Sequence, residues 1–192
     1  MFYLDQKRYA ESKDLPLEAI KIFKIPSNFK VSNSGSAYSN LAYLYLELCN
    51  YPDAETYVKL AIDLGEQIFG IHHPKMAIRY GNLARIYQAQ GLNDLAVRQY
   101  KKALDIRLKY LPNEHQELII NFSNLGDIYF AKKQYDDAEI NYEEALLILK
   151  IRSELRTANG EVILKNYARC LEIQGKETEK LLKNYVETVI DK

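Results

Sequence analysis

Residues 72–112 read HHPKMAIRYGNLARIYQAQGLNDLAVRQYKKALDIRLKYLP, and the fold is decided there. In the first half, Leu83, Ala84, Ile86 and Tyr87 fall on one side at i, i+3, i+4 spacing, the pattern of an amphipathic helix. A break is expected at Gly91. A second helical pattern opens near Asn93-Asp94, where an early acid suits the partial positive charge of a helix start. Its inward stripe is expected to be Leu95, Ala96, Tyr100, Ala103, Leu104 and Leu108. Alanine suits points where two helices cross closely, because a larger side chain would hold the backbones apart. Tyrosine and leucine fill the wider gaps.

Working outward, the same phrase recurs as SNLAYLY (39–45), GNLARIY (81–87) and SNLGDIY (123–129), then more loosely as KNYARCL (165–171). Asn40, Asn82, Asn124 and Asn166 thus stand 42 residues apart. So do Tyr45, Tyr87 and Tyr129; Ala54, Ala96 and Ala138; and Ala61, Ala103 and Ala145. A whole set of columns at one period marks a repeat protein. Each period holds two helices and cannot bury its faces alone, so the pairs are expected to stack into an all-α, right-handed α-solenoid of antiparallel helix pairs. The 192 residues make about four and a half such repeats.

The period also runs backwards. RYAESKDLPLEAIKIFK (8–24) corresponds to QYDDAEINYEEALLILK (134–150), so the chain is expected to open inside a repeat, with Pro16 breaking or kinking that helix. One solenoid domain over 1–192 follows: a partial repeat at 1–30, repeats at about 31–72, 73–114 and 115–156, and a divergent capping repeat at 157–192. Residues 25–35 (IPSNFKVSNSG) are polar and turn-prone, which predicts a longer first connection. In the last repeat Lys180, Asn184 and Glu187 occupy the Ala, Tyr and Ala columns, whereas a slip of one residue would align Leu181, Tyr185 and Thr188.

Composition sets outer bounds. Apolar residues make up 47% and charged residues 27%, ordinary for a globular chain. Lys+Arg and Asp+Glu are 26 each, so the basic excess that draws general binders to nucleic acid is missing. No window approaches the roughly 18–20 apolar residues of a membrane span. Charges at Asp5, Lys7 and Arg8 interrupt any apolar signal core, and a cytoplasmic location is expected. Cys49 and Cys170 make no disulfide framework and are expected to be buried reduced thiols.

The Leu-Gly/Ala-x-x-Tyr of the first helix, followed by Ala, an aromatic and Ala in the second, resembles the tetratricopeptide repeat (TPR). The 42-residue spacing and the 72–112 phrase resemble its extended form, found in kinesin light chains. That form carries His-Pro before each first helix, here intact only at His73-Pro74; His115-Gln116 and Val31-Ser32 replace it in the neighbouring repeats. Strong as a fold signal, the resemblance is generic as to function. It implies a protein-interaction scaffold whose first helices line a concave groove that receives a peptide or helix. Carried onto this chain, the groove residues are Asn40, Asn82, Asn124 and Asn166, together with Tyr43, Arg85, Asp127 and Arg169 three positions later. A lesser column is Ser39, Gly81, Ser123 and Lys165.

An asparagine amide offers two donors and an acceptor, so a ladder of them could bond a peptide backbone of any sequence. The same amides could equally serve only to join adjacent helices. Arg85 and Arg169 are single charges that solvation or intrahelical pairing would also explain. His72 and His73 are adjacent and cannot readily face one metal ion; the resemblance implies that His73-Pro74 marks a helix start instead. Asp136-Asp137 and Glu143-Glu144 are placed on the solvent side of a second helix. No catalytic residue, cofactor or metal site is assigned. The alternative to a free-standing scaffold is a regulatory or targeting segment of a larger enzyme or signalling protein. Nucleic-acid binding and membrane insertion are not expected, and self-association through the terminal helices stays open.

Overall fold

The computed structural model describes residues 31–178 together with Lys183 and Tyr185, with the side chains of 31–34 excepted. The partial repeat at 1–30 and most of the expected capping helix lie outside that range. Seven α-helices occupy the described residues: α1 (Val31–Glu47), α2 (Tyr51–Phe69), α3 (Pro74–Ala89), α4 (Asn93–Tyr110), α5 (Gln116–Ala131), α6 (Tyr135–Ile151) and α7 (Ala158–Ile173). The all-α fold class expected from the repeat is the one observed. Second helices start at Tyr51, Asn93 and Tyr135, and first helices at Pro74, Gln116 and Ala158; both series keep the 42-residue interval. The chain divides into two compact units, residues 1–92 with α1–α3 and residues 93–192 with α4–α7.

Turn chemistry repeats as faithfully as helix position. Cys49, Gly91, Lys133 and Gly175 all take positive φ, at 56°, 76°, 60° and 69°. After each, the next amide reaches back five positions, as in Leu92 N–H to the Tyr87 carbonyl (2.8 Å) and Gln134 N–H to Tyr129 (2.9 Å). This is the Schellman closure, which satisfies carbonyls that a helix end leaves bare. Cys49 is therefore exposed rather than buried, because the left-handed residue of such a turn projects outward; Cys170 is fully buried. Helix starts are closed by side chains. His73 Nδ1 accepts the Lys75 N–H and His115 Nδ1 the Glu117 N–H, both at 3.2 Å. Thr157 Oγ1 does the same for Gly160.

The alanine columns form the tightest layer. Ala54, Ala96 and Ala138, and then Ala61, Ala103 and Ala145, are all at 0% exposure. Leu83, Ala84, Ile86 and Tyr87 are buried as the periodicity predicts. The α4 stripe needs one correction: Leu108 is 48% exposed and Ile106 is buried in its place. Ile106 lies three residues beyond Ala103 and so continues the buried face, whereas five residues turn Leu108 away from it. A second correction concerns the first connection, since residues 31–35 are already helical. There, buried Gly35 lets α1 pass close to the Arg79 guanidinium; a Cβ on Gly35 would come within 2.6 Å of it.

Arg79 and Asn121 belong to one column and are the buried polar residues of the described core. They occupy complementary pairs 14 residues apart. Gly65 leaves the space that Arg79 fills, and a Cβ there would stand 1.7 Å from Arg79 Nη1. One period on, the arginine sits on the other helix: Arg107 donates to Asn121 Oδ1 and, at 3.0 Å, to Glu117 Oε2. After a further period the same columns hold Leu149 and Ile163, both buried. Three chemically different pairs fill equivalent positions. Glu143 is not purely solvent-facing either, because it accepts the Tyr167 hydroxyl of α7 at 2.7 Å. Of the two registers weighed for the last repeat, Tyr185 places its ring edge-on to Tyr167, 6.1 Å between centroids, in favour of the slipped alignment.

Two stability outcomes are expected. Lys133→Gly relieves a left-handed conformation at the site where two other repeats carry glycine, and chemical denaturation should show a gain of about 0.5–1 kcal/mol. Gly126→Ala forces a Cβ to within 2.7 Å of the Tyr142 ring. It should cost roughly 1–3 kcal/mol. Adding Tyr142→Val, the residue at Val58 in the matching column, should recover part of that loss in a double-mutant cycle.

Candidate functional site

Each first helix leaves one face uncovered. On α3 it carries Ile78, Asn82, Arg85 and Ala89 at i, i+4, i+7 and i+11, a single stripe of a helix. The matching stripes are Ser36, Asn40, Tyr43 and Glu47 on α1; Ile120, Asn124, Asp127 and Ala131 on α5; and Val162, Asn166, Arg169 and Ile173 on α7. Every groove residue expected from the sequence lies on one of these stripes. The reading missed the aliphatic column, Ile78, Ile120 and Val162, which is 51%, 48% and 56% exposed. The 42-residue period that aligned the asparagines aligns these residues too, so the signal was present. Gly81, from the lesser column, is buried and offers nothing to a ligand.

In the first unit Tyr43 and Arg85 come together. The Arg85 guanidinium lies 5.6 Å from the Tyr43 ring centre, and its Nη2 is 3.9 Å from Glu47 Oε1. Both members of that ion pair are about half exposed, so it adds little stability and leaves Arg85 open to solvent. Asn40 is exposed and Asn82 half-buried. In the second unit Asn124 is half-buried as well. Among the described residues none of these three amides makes a side-chain hydrogen bond.

Asn166 behaves differently. Its Nδ2 donates to Asp127 Oδ1 at 3.0 Å, joining α7 to α5, while the Tyr142 hydroxyl donates to the same oxygen at 2.7 Å. Burial, and after it the Asp127 hydrogen bond and charge, push the Tyr142 phenol far above its ordinary range, so it stays a proton donor. Gly126 makes this possible by letting the Tyr142 ring lie against its backbone, beside Asp127. Arg169 does not join the cluster; its guanidinium stacks over Phe130, 5.3 Å from the ring centre. Asp127, Phe130, Tyr142, Asn166 and Arg169 together line a cleft of about 100 Å³.

Family models described as tetratricopeptide repeat match residues 33–109 and 122–148, together more than half of the chain. The chain belongs to the tetratricopeptide repeat family. That membership makes it a protein-interaction scaffold by fold. Among solved structures, TPR-type folds similar to it include BtubC (BKLC) from P. vanneervenii, with a TM-score of 0.74 at 20% identity, over 95% of this chain and 74% of that one. A Podosopora anserina protein, described as kinesin light chain with nearly identical TPR-like repeats, aligns with a TM-score of 0.68 at 21% identity, over 96% and 87%. MamA aligns at 0.63 and 17% identity, over 100% and 94%. At these identities the likeness is one of fold, and it bears out the kinesin-light-chain type of repeat expected from the period. No protein of curated function matches by sequence. No helix of the described residues is long and apolar enough to cross a membrane.

The Asp127 cluster makes a stability prediction for this TPR chain. Asp127→Ala leaves the buried Tyr142 hydroxyl without its acceptor and should cost about 1–3 kcal/mol. Tyr142→Phe removes one donor while Asn166 still serves Asp127, and should cost less, near 1 kcal/mol. Urea denaturation of the two variants checks the order.

Proposed function

We propose that this TPR chain is a non-catalytic adaptor whose uncovered first-helix faces receive a peptide or helix of a partner protein. The observation that supports it is the state of Asn82 and Asn124. Both are only partly buried and make no side-chain hydrogen bond within the described protein, so their amides are open to a ligand. Each offers two donors and an acceptor to a backbone crossing the helix. On this reading Asn40, Tyr43 and Arg85 extend the contact surface in the first unit, as Asp127 and Arg169 do in the second. Asn166 has a structural duty, so of the four amides it contributes least to the ligand.

The aliphatic column gives the ligand a second handle. Ile78, Ile120 and Val162 sit one turn before the asparagines, so an apolar lane runs beside the amide lane on each helix. Partner side chains leaving the backbone on one side meet aliphatic groups, and those on the other meet Arg85, Asp127 or Arg169. Scattered exposed aliphatics need no explanation, but three in one repeat column beside the asparagines do.

The test uses a peptide selected against the protein from a random display library. Asn82→Ala and Asn124→Ala should each weaken its binding roughly 5- to 15-fold by calorimetry, the worth of about one lost hydrogen bond apiece. Asn166→Ala should weaken it less while lowering thermal stability. Affinity unchanged in the Asn82/Asn124 double variant would remove the proposal.

A further inference from the structure

The cleft on the second unit holds two opposite charges that do not pair with each other. Asp127 directs Oδ1 at the Tyr142 hydroxyl and the Asn166 amide, both neutral donors, and Oδ2 has no partner in the described structure. Arg169 is exposed and held over the Phe130 ring, and among the described residues no carboxylate lies within ion-pair distance of it. Each charge is thus held in place by a different neighbour, Asp127 by hydrogen bonds and Arg169 by stacking. An acceptor-only oxygen and a donor-only guanidinium therefore line the same small space.

The size of the space limits its guest. A cleft of about 100 Å³ suits one side chain better than a basic and an acidic side chain together. A single carboxylate would face Asp127, and a single ammonium would face Arg169. A neutral primary amide meets neither repulsion, since its carbonyl can accept from Arg169 while its NH2 donates to Asp127 Oδ2. It also brings no net charge into a partly desolvated site.

We propose that this cleft reads a carboxamide side chain, glutamine or asparagine, on the partner segment. The inference rests on the groove reading above and specifies one position of the ligand. Selectivity arises because replacing the amide by an acid or an amine turns one of its two hydrogen bonds into a like-charge contact.

The test uses single-residue probes, so that no peptide register need be known. The Nα-acetyl N-methylamides of glutamine, glutamate and lysine are titrated separately into the 15N-labelled protein. The glutamine compound should shift the Arg169 Nε–H and Asn166 Nδ2 resonances saturably, with an apparent affinity at least about five times that of either charged compound. Arg169→Glu, a substitution of an exposed side chain, should reverse the preference in favour of the lysine compound. Asp127→Asn keeps an acceptor for Tyr142 and should abolish the discrimination against glutamate. Equal or tighter binding of glutamate or lysine to the wild type, or no saturable shift with glutamine, overturns the proposal. A library-selected peptide that still depends on Asn82 and Asn124 would then leave the groove reading standing without this one.

Discussion

The structure depends on how closely one helix can approach the next. At eight places in the described chain an alanine with no exposed surface marks the contact, and at Gly126 even a methyl group is absent. Dispersion is short-ranged, so a radial gap of an ångström forfeits a large part of the contact energy of a packed layer. Small residues at the crossings let the larger tyrosines and leucines beside them reach their neighbours. They also explain why the repeat tolerates so much change elsewhere: the crossing positions are held constant and the wider spaces are refilled.

The refilling is visible in the columns 14 residues apart, where glycine faces arginine, arginine faces asparagine, and leucine shares the position with isoleucine. The arginine changes helices between the first and second of these pairs. What persists is a filled space, with the polar members bonded to Glu117 and Asn121 in one case and resting against Met76 and Phe69 in the other. The same close approach builds the candidate site. Without a side chain at Gly126 the Tyr142 ring lies against the α5 backbone, and its hydroxyl reaches Asp127 on the face where the asparagines stand. Packing inside the helix layer thus sets the electrostatics outside it.

Much of this was legible in the sequence because it is periodic. The 42-residue interval located the helix pairs, the alanine layers and the break at Gly91, while the stripe that carries all eight expected groove residues came from the family resemblance. What escaped reading is what the period does not encode. The column 79/121 looked unremarkable because arginine and asparagine share no obvious chemistry, and their burial follows from partners on another helix. Leu108 was assigned inward from its apolarity, although the matching positions, Glu66 and Lys150, are charged. The tie between Asn166 and Asp127 pairs residues 39 apart from two different columns, which alignment of equivalent positions cannot show. Cys49 was read by its apolar context when its place in the turn column already marked it as outward.

The central claim is that the first-helix asparagines divide between binding and structure, with Asn82 and Asn124 free to take a ligand and Asn166 already engaged. The side-chain amide resonances of these three residues, followed during titration with a library-selected peptide, test it most directly. The account predicts large shifts and slowed hydrogen exchange at Asn82 and Asn124, with Asn166 exchanging slowly from the start and changing little. Perturbation confined to Asn166, or to residues of α2, α4 and α6 with the two free amides unmoved, would contradict it.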